Sequence, residues 1–168
     1  MKQTLKYIYT IVFDNLKFAE AKHTVVLTIS SAVLAFATTF YSNNVIENLL
    51  ITASILFALI AIFYSFVALV ARNVKSKSKK ITGKESLLYY KHIMRFESNN
   101  YIDALKKQYG FTASYKPDNM DYDLSNQIVS ISKLAWIKFL YFNFAVVFLI
   151  ASIMCIIFNV VIRGQIWQ

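Results

Sequence analysis

Few side chains in this sequence could do covalent chemistry. Its two histidines, His23 and His92, have no metal-ligand spacing. The single cysteine, Cys155, excludes an intrachain disulfide and reads as a packing residue in an apolar run. The three glycines form no phosphate-cradling loop. Asp118, Asp121 and Asp123 are grouped, but at a predicted helix start, where acids suit the positive end of the dipole. The sequence therefore predicts no catalytic centre, no metal site and no resident cofactor.

Binding chemistry has better candidates. Arg95, Lys91, Lys106 and Lys107 lie close in sequence to Tyr89, Tyr90 and Tyr101. Cations for phosphate and an aromatic face for a base are what a nucleotide ligand needs. The ordinary alternative is a solvated basic face with the tyrosines packed in a small core. A second group is Glu20, Lys22 and His23, expected at the membrane crossing level of one helix, with Lys133 and Lys138 near that level on another. Lys22, Lys133 and Lys138 suit lipid headgroups. Glu20 gains nothing there and is expected to pair with Lys133 or Lys138, holding a resting arrangement. A third group is a stripe of Thr24, Thr28, Ser31, Ala35, Thr38 and Ser42, expected to form a helix–helix seam or line a wet path. Lys138, Ala145, Ser152 and Asn159 are each seven apart and read as another seam, and Asn143 and Asn159 need partners inside a span.

The elements that must position these groups follow from hydropathy. The 168 residues are 57% hydrophobic and 16% aromatic. Mean hydropathy is +0.47, too apolar for an ordinary soluble domain. Four Gly and Pro residues in all argue for long helices and against a many-turned barrel. Residues 24–42 and 49–71 carry no charge, are each long enough to cross a bilayer, and are joined by a short turn over Ser42–Asn48. The first helix is expected to begin well before its span, because no Gly or Pro precedes Gly83, and Ile8, Ile11, Val12, Leu16 and Ala19 keep helical spacing. Its interrupted apolar run does not read as a cleavable signal peptide. A third helix is expected from about Met120 to Ile162, its membrane part starting at Phe139.

The fold class is thus an all-α membrane protein with three transmembrane helices. Three blocks are expected: 1–71, an amphipathic helix and two-span hairpin; 72–133, a small basic helical lobe; and 134–168, the third span and a short outer tail. In the lobe, Leu87–Ile93 is expected as a strand-like segment or helical turn, and Ser98 as the cap of a helix ended by Gly110. Residues 1–23 carry four Lys, and 72–133 carry twelve Lys plus Arg against six acids. The positive-inside rule puts both segments in the cytosol and the hairpin turn outside. The Lys75–Lys80 run reads as a stop-transfer and lipid contact. Arg163 then lies outside, mildly against the rule, with Trp167 as an interface anchor.

Several segments in order resemble a known family. Phe18-x-Glu20-x-Lys22-His23 enters the first span. Leu87-Leu88-Tyr89-Tyr90-x-His92-Ile93 follows the hairpin, then Tyr101-x-x-Ala104-Leu105. Asp123-Leu124-x-x-Gln127-Ile128-x-x-Ile131-Ser132-x-x-Ala135-x-x-Lys138 leads into the last span. This order is similar to the Pycsar membrane effectors and the related SLATT domains. The resemblance implies a bacterial anti-phage effector in the inner membrane. It would damage that membrane when a partner enzyme makes a nucleotide second messenger or a sensor protein signals. An oligomer, and with it a pore, is expected from the small polar stripe of the first span, which wants partners. It implies a cyclic nucleotide as ligand and no nucleic-acid polymer as partner. The alternative is a non-catalytic anchor or accessory subunit that docks a partner protein through its basic lobe.

Overall fold

A computed structural model of the chain describes residues 1–42, 44–70, 86–111 and 115–166, with side chains to residue 164. The Lys75–Lys80 run, Gly83 and Trp167 lie outside the described residues. Five α-helices follow one another among the described residues: α1 (Lys2–Ala37), α2 (Val45–Val70), α3 (Tyr90–Ile93), α4 (Ser98–Tyr109) and α5 (Asn119–Ile166). Among the described residues three stretches are long and apolar enough to cross a membrane: α1 with the 3₁₀ turn after it, α2 and most of α5. The chain is an all-α, multi-pass membrane protein.

The long helices follow from the scarcity of breakers. α1 runs 36 residues and α5 runs 48, the latter about 72 Å at 1.5 Å per residue. The first span is shorter as an α-helix than its uncharged run. It tightens at Thr38–Phe40 into a 3₁₀ turn, where the Thr38 and Thr39 hydroxyls donate to the carbonyls of Ala35 and Phe36. The hairpin turn is closed by side chains. Asn44 Oδ1 accepts from Ile46 N at 3.0 Å, at the start of α2. Asn48 accepts from Ser42 N at 3.0 Å and donates to Ser42 O at 2.6 Å.

The chain divides into two compact units that interleave in sequence. One, the lobe, comprises Met1–Ala19 and Ala71–Phe139; the other, the span unit, comprises Glu20–Val70 and Leu140–Gln168. α1 and α5 each contribute to both. The sequential blocks 1–71, 72–133 and 134–168 do not coincide with these units, because the first turns of α1 supply one wall of the lobe.

The lobe core gathers Leu5, Ile8 and Val12 of α1, Leu87, Ile93 and Phe96 around α3, Tyr101 and Leu105 of α4, and Ile128 and Val129 of α5. Each fully buried apolar side chain of this size contributes about 1.5–3 kcal/mol. Leu87–Ile93 forms a turn and the one-turn helix α3 rather than a strand. α4 begins one residue earlier than expected. Glu97 occupies the cap position without a side-chain bond, so Ser98 is not the cap. Instead, the Ser98 carbonyl accepts from Ser125 Oγ of α5 at 2.8 Å. Gly110 ends α4 at φ 65, the left-handed conformation favoured at a helix C-terminus.

Candidate ligand-binding lobe and membrane bundle

The basic and aromatic residues of the lobe fall into three places. Tyr101 is fully buried, and its hydroxyl donates to the Leu87 carbonyl at 2.7 Å. Burial raises this phenol well above its ordinary pKa. Tyr101 is therefore a core residue, with no ring face to offer a ligand. Lys106 and Lys107 lie in the last turn of α4, where cations complement the negative end of the dipole.

The remaining residues form a continuous patch. Tyr89 lies edge-on to both Tyr90 and His92, with centroids at 4.9 and 5.3 Å. Tyr90 stacks on Phe139 at 5.2 Å. Lys91 Nζ stands 4.8 Å from the centre of the Trp136 ring, a cation–π contact. His92 Nδ1 accepts from Ser86 N at 3.0 Å, which puts the neutral ring's proton on Nε2. Burial, then a hydrogen bond with Tyr89, pushes the Tyr90 phenol up to about 12. Arg95 is half-buried. Tyr89 is the most exposed ring of this set, at 43%. The patch offers one open aromatic face and a cation already engaged with an indole.

The grouped carboxylates do helix-start work. Asp118 Oδ1 accepts from Asp121 N at 2.9 Å, while Asp121 Oδ2 accepts from Asp118 N at 3.2 Å. This reciprocal pair satisfies amides that open α5. Tyr115 donates to Asp121 Oδ2 at 2.6 Å, and that bond pushes its phenol up to about 12. Lys2 of α1 pairs with Asp118 at 2.5 Å, holding the carboxyl below its ordinary pKa and raising its own. Beside this cluster is an open groove of about 610 Å³, lined by Lys2, Gln3, Phe111, Tyr115, Lys116 and Asp118 among others. Its lysines and aromatic rings repeat the pairing seen around α3. Among the described residues, no group of three His, Cys, Asp or Glu could hold a metal ion.

The residues expected at the crossing level differ in burial. Glu20, Lys22 and Lys133 are half-buried, while His23 is fully buried and Lys138 is 3% exposed. Lys22 Nζ lies 5.0 Å from the Phe142 ring centre, and the His23 ring meets the same phenyl edge-on at 5.9 Å. Phe142 thus draws both side chains toward the bundle.

The threonine stripe faces outward. Thr24, Thr28, Ser31, Ala35 and Thr38 are all exposed on the subunit. Thr24 and Thr28 donate to the carbonyls of Glu20 and Thr24, one turn back on their own helix. The face of α1 that is buried carries His23, Val26, Ser30 and Ala37 instead. Asn143 is also exposed. By contrast, Ala145, Ser152 and Asn159 of α5 are fully buried. Ser54 and Ser152 exchange hydrogen bonds across two helices, each hydroxyl reaching the other's carbonyl at 3.0 and 2.8 Å. Asn159 Nδ2 donates to Glu47 O at 3.1 Å.

A further cluster goes beyond the residues that stood out in the sequence. Arg163 Nε donates to Glu47 Oε2 at 3.1 Å, and its Nη2 to Phe40 O at 3.2 Å. One side chain thus ties the end of the first span and the start of the second to the third. The sequence signal was present but faint. Glu47, Ser54 and Ser65 are spaced seven and eleven apart, which returns them to one face of α2.

Comparison with curated proteins and with solved structures gives no match. A family model does match: that of the Pycsar effector protein domain, PycTM, over residues 4–164, which takes in both units from the first turn of α1 to the Arg163 clasp. With three membrane-competent helices and a match over nearly its whole length, the chain belongs to the Pycsar effectors, a family of anti-phage defence proteins.

Proposed function

We propose that the chain is a gated membrane-damaging effector. A nucleotide second messenger, or a partner sensor, acts on the lobe, and an oligomer of the spans then depolarises the inner membrane. The observation that carries this reading is that α1 and α5 pass from the lobe into the span unit without a helix break. A signal received at one unit therefore has two continuous helices to travel along. Oligomerisation is supported by the outward stripe of Thr24, Thr28, Ser31 and Thr38 and by exposed Asn143, which offer a neighbouring copy small and polar contacts. The excess of Lys and Arg in the lobe supports a cytosolic N-terminus. A cyclic nucleotide suits the cation and ring chemistry around α3 or in the groove beside Asp118.

The test follows membrane potential in cells that express the protein with and without a cyclase that makes the messenger. Depolarisation that requires both is the expected result. No change under any trigger leaves the chain as a docking anchor. Arg95→Ala, Lys91→Ala and Lys116→Ala then divide the two ligand patches. Triggering lost in the first two places the ligand at α3, and triggering lost in the third places it in the groove.

A further inference from the structure

The interior of the span unit is polar at two levels and apolar between them. At the end closed by the hairpin turn lie Glu47, Arg163 and Asn159, then Ser54 with Ser152, then Ser30. At the other end lie His23, against Phe142, and Ser65. Between them Val26, Ala61, Ala145 and Leu149 pack as one buried cluster. Helix arithmetic fixes the order. Ser30 is one turn beyond Val26 on α1, level with Leu149 one turn beyond Ala145 on the similarly directed α5, and Ser65 is one turn beyond Ala61 on the oppositely directed α2, about 6 Å to the other side.

Three atoms in this column are unusual. Ser30 Oγ, Ser65 Oγ and Asn159 Oδ1 are buried and meet no hydrogen-bond partner among the described residues. Inside a membrane, such groups need internal satisfaction, and the smallest molecule that supplies it is water. A serine hydroxyl both donates and accepts, and an imidazole can take up a proton on one side and release it on the other. The helices approach closely over Ala37, Ala58, Ala61, Ala68 and Ala145, all fully buried. Such close packing leaves no room for a hydrated metal ion, whereas a single water needs only about 30 Å³.

We infer that the interior of the three-helix span unit is a proton path, closed by the apolar constriction of Val26, Ala61, Ala145 and Leu149. A dry apolar constriction blocks conduction until it wets. When it does, protons pass from water on one side to water on the other. Each hydroxyl takes one proton and releases one, so no residue changes its net state, and the uncompensated positive charge carried across is what collapses the membrane potential. This inference deepens the depolarising reading above and rests on it, each subunit of the oligomer carrying its own path.

The test uses purified protein in vesicles of phosphatidylethanolamine and phosphatidylglycerol. Pyranine is trapped inside, and a potassium gradient with valinomycin draws protons inward. Leu149→Asn or Val26→Thr makes the layer wettable and should speed untriggered pH collapse about tenfold while entrapped calcein is retained. Adding Ser30→Ala with Ser65→Ala should bring the rate back toward wild type. Well-folded layer variants that leak no faster would overturn the path, as would a fast leak indifferent to the two serines or an equal loss of calcein. If the layer variants do not fold, Ser30→Ala with Ser65→Ala in the otherwise native protein decides. Triggered proton flux in cells should fall severalfold, and unchanged flux overturns the path. Wild-type cells that never depolarise with the cyclase present would defeat the effector reading instead, and the layer variants in vesicles would still report on the path.

Discussion

Glu47 and Arg163 stand 116 residues apart in sequence, yet their side chains meet at 3.1 Å. The carboxylate is nearly buried, its side chain only 6% exposed, while the guanidinium keeps 35% of its surface. The pair joins α2 to α5, and the Arg163 bond to Phe40 O adds the end of the first span.

Removing one partner should therefore cost more than a surface pair would. Glu47→Gln or Arg163→Gln is expected to lower stability by about 1–3 kcal/mol, less than for a fully enclosed pair because water still reaches Arg163. Thermal unfolding in mild detergent, followed by size-exclusion chromatography, measures this. Exchanging the two charges, Glu47→Arg with Arg163→Glu, should recover part of the loss. Wild-type stability in both single variants would show that the contact carries no weight.

Tyr101→Phe removes one buried hydrogen bond to Leu87 O while keeping the ring. The expected loss is about 1–1.5 kcal/mol of lobe stability, with trigger sensitivity retained once the protein is folded. Trigger sensitivity lost from a variant of native stability would return Tyr101 to the ligand site.

Acid and base should loosen the start of α5 for different reasons. The Asp118 carboxyl is held below its ordinary value, chiefly by Lys2. Its contribution is present above that value and is lost as pH falls through the depressed one. Lys2 is raised above 10.5 by the same contact. Its contribution is present below 10.5 and is lost as pH rises through the raised value. Amide protection at Asp121 and Tyr122, taken relative to the intrinsic exchange rate at each pH, should be highest between these limits, and Asp118→Asn should flatten the acid side.

Sidedness can be read with single cysteines in a Cys155→Ala background. Asn44→Cys should react with an impermeant maleimide applied to intact cells, and Lys107→Cys only after lysis. The opposite pattern would invert the assigned orientation.

The fold was legible because its signals are local. Three uncharged apolar runs and an almost complete lack of Gly and Pro prescribe long helices, and Gly110 marks the end of α4. What the sequence obscured were choices between equivalent faces and distant partners. On α1, Thr24, Thr28, Ser31 and Thr38 make one small polar stripe, and His23, Ser30 and Ala37 make another, a fraction of a turn away. Helical periodicity ranks neither above the other, and the hydroxyl-rich stripe drew attention while the second was buried. Tyr101, close in sequence to Lys106 and Lys107, could be read as a ligand ring or as part of a small core, and α4 decides for the core by turning Tyr101, Ile102 and Leu105 inward together. Arg163 looked like a charge on the wrong side of the membrane. Its reason is Glu47, which no window around residue 163 contains.

That distance also sets an order of assembly. The hairpin can enter the bilayer as soon as it is made, but its acid then waits for a base encoded 116 residues later. At about 5–20 residues per second, synthesis separates the two by roughly 6–23 s. During that interval the half-built subunit carries an unpaired carboxylate beside its hairpin turn and has no Arg163 to latch α5 to it. A chain truncated before Arg163 would remain in this condition, which makes the last turn of α5 the point at which a newborn subunit becomes a finished one.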